Sequence, residues 1–200
     1  MYADEPPIGF DVLEVEDVPG GWEDAWREFH HGVRIGRLWV GPPWERAPAE
    51  ATPVVIDPGR AFGTGAHPTT RLCLELLQEV EPTSLLDMGC GSGVLSIAAA
   101  KLGFSPVGAF DLDDVALEAT RANAARNGVL IDTLAEVRPA ALAVMNIALD
   151  VVDGLLPKLR VERAITSGYL ARDAPQAAGW HRVDRRERDG WAADLLEFRS

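Results

Sequence analysis

Eleven residues, "LLDMGCGSGVL" (85–95), restrict what this chain can fold into more than any other stretch. An apolar run, a glycine-rich turn and a second apolar run read as a buried strand, a tight turn and the start of a helix. The pattern then repeats. "SGVLSIAAAKLG" (92–103) reads as a helix ending at Gly103 and "PVGAFDLD" (106–113) as a strand. "DVALEATRANAARNG" (114–128) reads as a helix with Asp113 or Asp114 as N-cap and Gly128 past its end. "ALAVMNI" (141–147) is a strand, "LDVVDGLLPKL" (149–159) a helix and "RAITSGYL" (163–170) a strand. The tail "HRVDRRERDGWAADLLEFR" (181–199) predicts two strands turning at Asp189-Gly190. Strands alternating with helices predict an α/β fold, a doubly wound, mostly parallel sheet with helices on both faces, and the tail adds an antiparallel hairpin.

Upstream, "PVVIDPG" (53–59) reads as a short strand and "TRLCLELLQEV" (70–80) as a helix capped by Thr69 or Thr70 and ended by Pro82. Trp22, Ala25, Trp26 and Phe29 form an amphipathic helical stripe, and a Pro-rich linker, "VGPPWERAPAEATP" (40–53), follows. The expected organisation is a short N-terminal segment with a linker helix, 1–48, and a main α/β domain, 49–200.

A net charge of −12 disfavours direct nucleic acid binding and anionic membranes, and suits a basic partner. The two cysteines, Cys73 and Cys90, offer neither metal-ligand spacing nor a disulfide framework. The start, "MYADEPPIGF", lacks a basic region followed by an apolar run, and no apolar stretch approaches the ~20 residues that span a bilayer. A cytoplasmic protein is expected.

The turn's chemistry narrows the ligand. Gly89, Gly91 and Gly93 let a ligand approach the backbone, but a dinucleotide fingerprint needs Gly or Ala at 94, where the chain has Val94. A pyrophosphate also disfavours a neighbouring anion, and Asp87 adjoins the turn. Asp111, 22 residues beyond Gly89, is placed to accept both hydroxyls of a ribose. A ligand with an ammonium and a sulfonium, S-adenosylmethionine, fits this set. A nucleotide-dependent oxidoreductase is disfavoured on the same grounds.

One further segment, "FGTGAHPTT" (62–70), is too polar for a core strand. Together with "WEDAWREF", "VVIDPGRAFGTGAHPTT", "LLDMGCGSGVLSIAAAKLG", "FDLD", "ANAARNGV", "VMNI" and "SGYL", it resembles the PrmA family, the lysine methyltransferases of large-subunit ribosomal protein eleven. The likeness covers roughly residues 21–170 and implies a class I, Rossmann-like, S-adenosylmethionine-dependent methyltransferase. It implies that Phe62, Gly63 and Thr70 close over the cofactor, that Asp87 and Gly89 meet its methionine side, with Gly91 a further cofactor-binding residue of the turn, and that Asp111 with Leu112 meets its ribose and adenine. Asn146 matches the position where amine methyltransferases place an Asn or Asp, touching both cofactor and acceptor. His67 is a second catalytic candidate, as a base or a substrate contact, and Cys90 reads as a small filler beneath the cofactor. The expected acceptor is a protein amine, a lysine or an N-terminus, on a basic protein such as a ribosomal one. The alternatives are a small-molecule acceptor or a non-catalytic module on the same fold. The family's N-terminal recognition domain does not fit in the ~20 residues before the linker helix, and the stretches 128–146 and 171–180 are short for it.

Overall fold

The computed structural model describes residues 30–57 and 65–199. The amphipathic stripe at 22–29 and the candidates Phe62 and Gly63 lie outside the described residues. Among the described residues, ten strands and four α-helices follow in order. A small sheet holds β1 (Val33–Ile35), β2 (Leu38–Gly41) and β3 (Thr52–Val55). The main sheet holds β4 (Leu85–Met88), β5 (Val107–Phe110), β6 (Asp132–Thr133), β7 (Leu142–Asn146), β8 (Arg163–Leu170), β9 (Trp180–Arg188) and β10 (Trp191–Phe198). The helices are α1 (Pro68–Leu77), α2 (Val94–Lys101), α3 (Asp114–Asn127) and α4 (Leu149–Leu155).

The main sheet has the order β6-β5-β4-β7-β8-β10-β9, and β10 alone runs opposite to the other six strands. The order reverses between β4 and β7. At such a switch point the loops leaving the two strands diverge, and a crevice opens at the strands' C-terminal ends. The strands are apolar on both faces because both are covered. Leu85, Leu142, Val144 and Ile165 join the core of α1 and α2, while Leu86, Met88, Ala143 and Met145 join Val152 and Leu156 on the other face.

Local chemistry sets the element ends. Asp113 caps α3, its Oδ1 accepting from Val115 N at 2.9 Å, and Gly128 closes the helix in the left-handed conformation. The hairpin turn at Asp189-Gly190 has positive φ at both residues, as a two-residue turn between twisted strands requires. Three expectations need correction. α1 is capped by His67, whose Nδ1 accepts from Thr69 N at 3.4 Å, because Pro68 takes the first helical position and leaves Thr69 and Thr70 inside the first turn. The helix expected over 149–159 stops at Leu155 and tightens into a 3₁₀ turn over 156–158 around Pro157. The ends of the Pro-rich stretch are not linker: Val40 and Gly41 of β2 lie opposite Val54 and Val55 of β3, Thr52 and Pro53 of β3 lie opposite Leu38 and Trp39 of β2 in the same parallel ladder, and only 42–51 form a loop.

The connection from β8 to β9 has no room for a helix. β9 begins level with the start of β8, so residues 171–179 must return the length of an eight-residue strand, about 26 Å. Nine residues in a helix would rise only about 14 Å. The extended connection is tied down by Arg185, whose guanidinium donates to Ala171 O and Asp173 O and to the buried Asp194 carboxylate. Two cavities of about 360 and 390 Å³ flank Trp180 beside it, away from the crevice.

Gly168 in β8 sets how closely the chain leaving β7 at Ile147 can approach. It has φ +103°, and a Cβ there would lie 2.2 Å from Ile147 O. Gly168→Ala is expected to destabilise the protein by about 2 kcal/mol or more, read as a fall in the urea midpoint. Unchanged stability would mean that the Asn146–Ile147 backbone is not held by β8.

Candidate cofactor and acceptor site

Three adjacent strands deliver the candidate residues to one end of the sheet. In the order β5-β4-β7, Met88 pairs with Phe110 on one side and Met145 on the other. Asp111 and Gly89 therefore sit just past two neighbouring strand ends, and Asn146 is the last residue of the third. The turn after β4 is held from three sides. Gly89 N and Cys90 N both donate to Phe110 O, at 2.8 and 3.1 Å. Gly91 N donates to Asp111 Oδ2 at 3.0 Å, and Asp111 Oδ1 accepts from Asp113 N at 3.1 Å. The Asp111 carboxylate is thus fixed across the mouth of the turn, with lone pairs to spare for hydroxyl donors. Gly89 is exposed, with φ +76°, and a Cβ there would meet Ile147 Cγ2 at 2.6 Å. Only glycine fits this corner.

Asp87 lies beneath the turn, not on its rim, and is 1% exposed. Its Oδ2 accepts from Ser96 N at 3.1 Å and Ser96 Oγ at 2.5 Å, so a carboxylate from the preceding strand takes the place of a side-chain cap that Gly93 cannot supply. Its Oδ1 is buried with no hydrogen-bond partner. Burial raises its pKa from 3.8 to about 6, against the lowering effect of the Ser96 bonds and with a further raise from Asp111. A buried, half-satisfied carboxylate beside a glycine turn is the environment a cationic ligand group would complete.

Asn146 is half-buried, and its Nδ2 donates to Oγ1 of the buried Thr70 at 3.1 Å. Its Oδ1 makes no hydrogen bond among the described residues. His67 sits one turn away at the helix start, with Nδ1 2.7 Å from Thr69 Oγ1 and its ring edge-on to Trp191 at 5.0 Å. That geometry accounts for His67 as the cap that places Thr70. Leu112 is 93% exposed beside Asp111, an apolar surface at the edge of the crevice. The Cys90 thiol is pushed up to about 12 by burial and by Asp87, and its sulfur lies 3.3 Å from the Thr120 hydroxyl, in keeping with a packed filler. The residues that sequence reasoning missed are Ser96, which engages Asp87, and Thr120 and Asn123 of α3, which hold the turn's carbonyls. Buried polar side chains on a helix face were the available signal.

A doubly wound sheet, a glycine turn after the strand at the switch point and an acid at the end of the next strand form a site for a nucleoside-bearing cofactor, and the solved structure that superposes on the chain makes this the fold of a class I S-adenosylmethionine-dependent methyltransferase. The comparisons give the family. Residues 8–193 match the model of ribosomal protein L11 methyltransferase (PrmA). A ribosomal protein L11 methyltransferase of Symbiobacterium thermophilum is 43% identical, over 94% of this chain and 68% of its own, and one of Pseudomonas putida is 40% identical, over 94% and 70%. The crystal structure of a ribosomal protein L11 methylase from Lactobacillus delbrueckii subsp. bulgaricus superposes with a TM-score of 0.76 at 30% identity, over 85% of this chain and 100% of that one. The chain belongs to the PrmA family, and its cofactor is S-adenosylmethionine.

The Asp87 shift has a defined sign. The folded state holds the proton more tightly than the unfolded chain, so this group's contribution to stability falls as pH rises from about 4 to about 6. The expected difference on crossing that window is on the order of a few kcal/mol. Asp87→Asn should be more stable than the parent above pH 6 and lose this slope, read from urea unfolding at a series of pH values. Parallel pH profiles would show that Asp87 is ionised at no cost.

Proposed function

We propose that this chain transfers the methyl group of S-adenosylmethionine to an amine nitrogen of a protein, a lysine side chain or an N-terminus, and that the acceptor is a basic protein of the ribosomal protein L11 kind. The observation that carries this reading is Asn146, its amide nitrogen tethered to Thr70 and its carbonyl oxygen without a partner among the described residues. The cofactor supplies a methyl group already activated on a sulfonium, so the protein's work is binding, orientation and exclusion of water.

An amine must be neutral to attack. An unperturbed lysine lies about 3.4 units above pH 7, so its neutral form costs roughly 4.6 kcal/mol. A crevice that excludes water and holds a cation lowers that cost, because both disfavour the ammonium. Asn146 Oδ1 is a neutral acceptor: it can take an N–H of the amine and aim the lone pair without holding the nitrogen in its charged form, as a carboxylate would. Asp111 is placed for the ribose hydroxyls, Leu112 for the apolar adenine, Gly89 and Gly91 for close backbone approach, and Asp87 for the cationic end. Phe62 and Gly63 are assigned to the cofactor by family resemblance.

The names of the relatives support a ribosomal protein acceptor. So does the net charge of −12, which favours a basic protein over a phosphate backbone. No helix among the described residues is long and apolar enough to cross a membrane. We place the reaction in the cytoplasm, in a catalytic unit spanning 49–200 with the β1–β2 hairpin packed against it.

Incubation with methyl-labelled S-adenosylmethionine and ribosomal protein L11, followed by peptide mass spectrometry, should find label on lysine or on the N-terminal amine. Label confined to RNA or to small molecules would contradict the reading. Asn146→Ala should lower kcat at least about tenfold with cofactor Kd changed less than about threefold, and Asp111→Ala should mainly raise that Kd. The reverse pattern would exchange their roles.

A further inference from the structure

Helix α3 buries residues that a helix meant only for packing would not. Thr120 is 0% and Asn123 2% exposed, and with Asn127 they occupy i, i+3 and i+7, the spacing at which a packed helix normally presents its apolar stripe. Each finds its partner on the backbone of another element. Thr120 Oγ1 donates to Gly91 O at 3.1 Å, with Cys90 Sγ 3.3 Å away on the same side. Asn123 Nδ2 donates to Ser92 O at 3.0 Å, and its Oδ1 accepts from Asp57 N at 3.0 Å. Asn127 is different. It holds β3, accepting from Val55 N at 2.9 Å and donating to Val55 O at 2.6 Å, with a further bond to Asn123 O at 2.8 Å.

The stripe therefore divides by target. Its first two members hold consecutive carbonyls of the glycine turn, and its last holds only the small sheet. A peptide unit is planar, so fixing the carbonyl of Gly91 fixes the plane joining 91 to 92, and fixing that of Ser92 fixes the plane joining 92 to 93. These planes lie in the stretch whose neighbour, Gly91 N, reaches Asp111. Without the α3 bonds, a segment rich in glycine would sample many shapes, and a ligand would have to order it on binding.

We propose that Thr120 and Asn123 are positioning residues of the cofactor turn, holding the peptide planes on either side of Ser92 in the shape that receives S-adenosylmethionine. This rests on the placement of the cofactor at Gly89–Gly93 argued above. Asn127, on the same helix face with equally short bonds to β3, is the internal control.

The experiment measures S-adenosylmethionine Kd by calorimetry, apparent KM for S-adenosylmethionine, kcat at saturating cofactor and Tm, for the full chain carrying Thr120→Val, Asn123→Asp, Asn127→Asp or Asp111→Ala. Asn123→Asp turns the donor toward Ser92 O into an acceptor, while Thr120→Val is nearly isosteric and carries the test should Asn123→Asp fail to fold. T120V and N123D should raise Kd and KM by about tenfold, with kcat within about twofold of the parent. N127D should lower Tm as N123D does, yet change Kd by less than about threefold. An unchanged Kd in T120V, or equal shifts in N123D and N127D, overturns the proposal. If D111A has lost binding in the same series, only the role of α3 falls; if D111A binds as the parent does, the placement of the cofactor falls with it.

Discussion

A polar residue in the middle of a strand buried on both faces has to be satisfied from within the protein, and Asp87 is such a residue. Ser96 satisfies half of it, with a backbone N–H and a hydroxyl on one oxygen. Those bonds fix where α2 begins relative to β4, and so fix the span that the glycine turn must cross. Because Gly93 offers no capping side chain, the first turn of α2 depends on this carboxylate. The other oxygen stays buried without a partner, which raises the carboxyl's pKa to about 6. One group thus ties strand to helix and leaves an unmet demand for positive charge beneath the turn.

The rest of the crevice is built outward from that unit. Strand pairing brings Asp111 and Asn146 to either side of Gly89, and hydrogen bonds set their orientation: Asp111 is gripped by Gly91 N and Asp113 N, Asn146 by Thr70. His67 serves the same end at one remove, since capping α1 is what presents Thr70 to Asn146. The small sheet contributes through α3. Asn123 joins Asp57, two residues past the end of β3, to Ser92 in the turn, so two segments far apart in sequence share one side chain. Preorganisation of this kind suits a reaction whose donor already carries its leaving group, where alignment is the main requirement.

What could be read from the sequence was what local chemistry decides. The glycine turn, the Asp113 cap, the stop at Gly128 and the Asp189-Gly190 hairpin are each specified within a few residues. The β1–β2 hairpin was not legible, because its backbone is held by Gln78, whose Oε1 accepts from Arg37 N and whose Nε2 donates to Ile35 O. The threonines are the ordinary capping residues of this stretch, but Pro68 takes the first helical position and moves the cap back to His67, an unusual cap, two residues before Thr69. In the site, Gly89, Asp111 and Asn146 could be placed from their strand ends. The bond from Asn146 to Thr70 joins residues 76 apart, and those from Thr120 and Asn123 to the turn span 29 and 31. Pairings at such separations follow from the tertiary fold and leave no periodic mark, except that polar residues stand where an apolar stripe is expected.

The turn, with Asp87 below and Asp111 beside it, is expected to select a ligand that joins an adenosyl group to an ammonium over a coenzyme that carries a pyrophosphate. Calorimetric titration of the full chain with S-adenosylmethionine, S-adenosylhomocysteine and NAD tests it in one series. Saturable one-to-one binding of the first two and no heat from NAD is the predicted result. Binding of NAD with neither adenosyl compound bound would contradict the account.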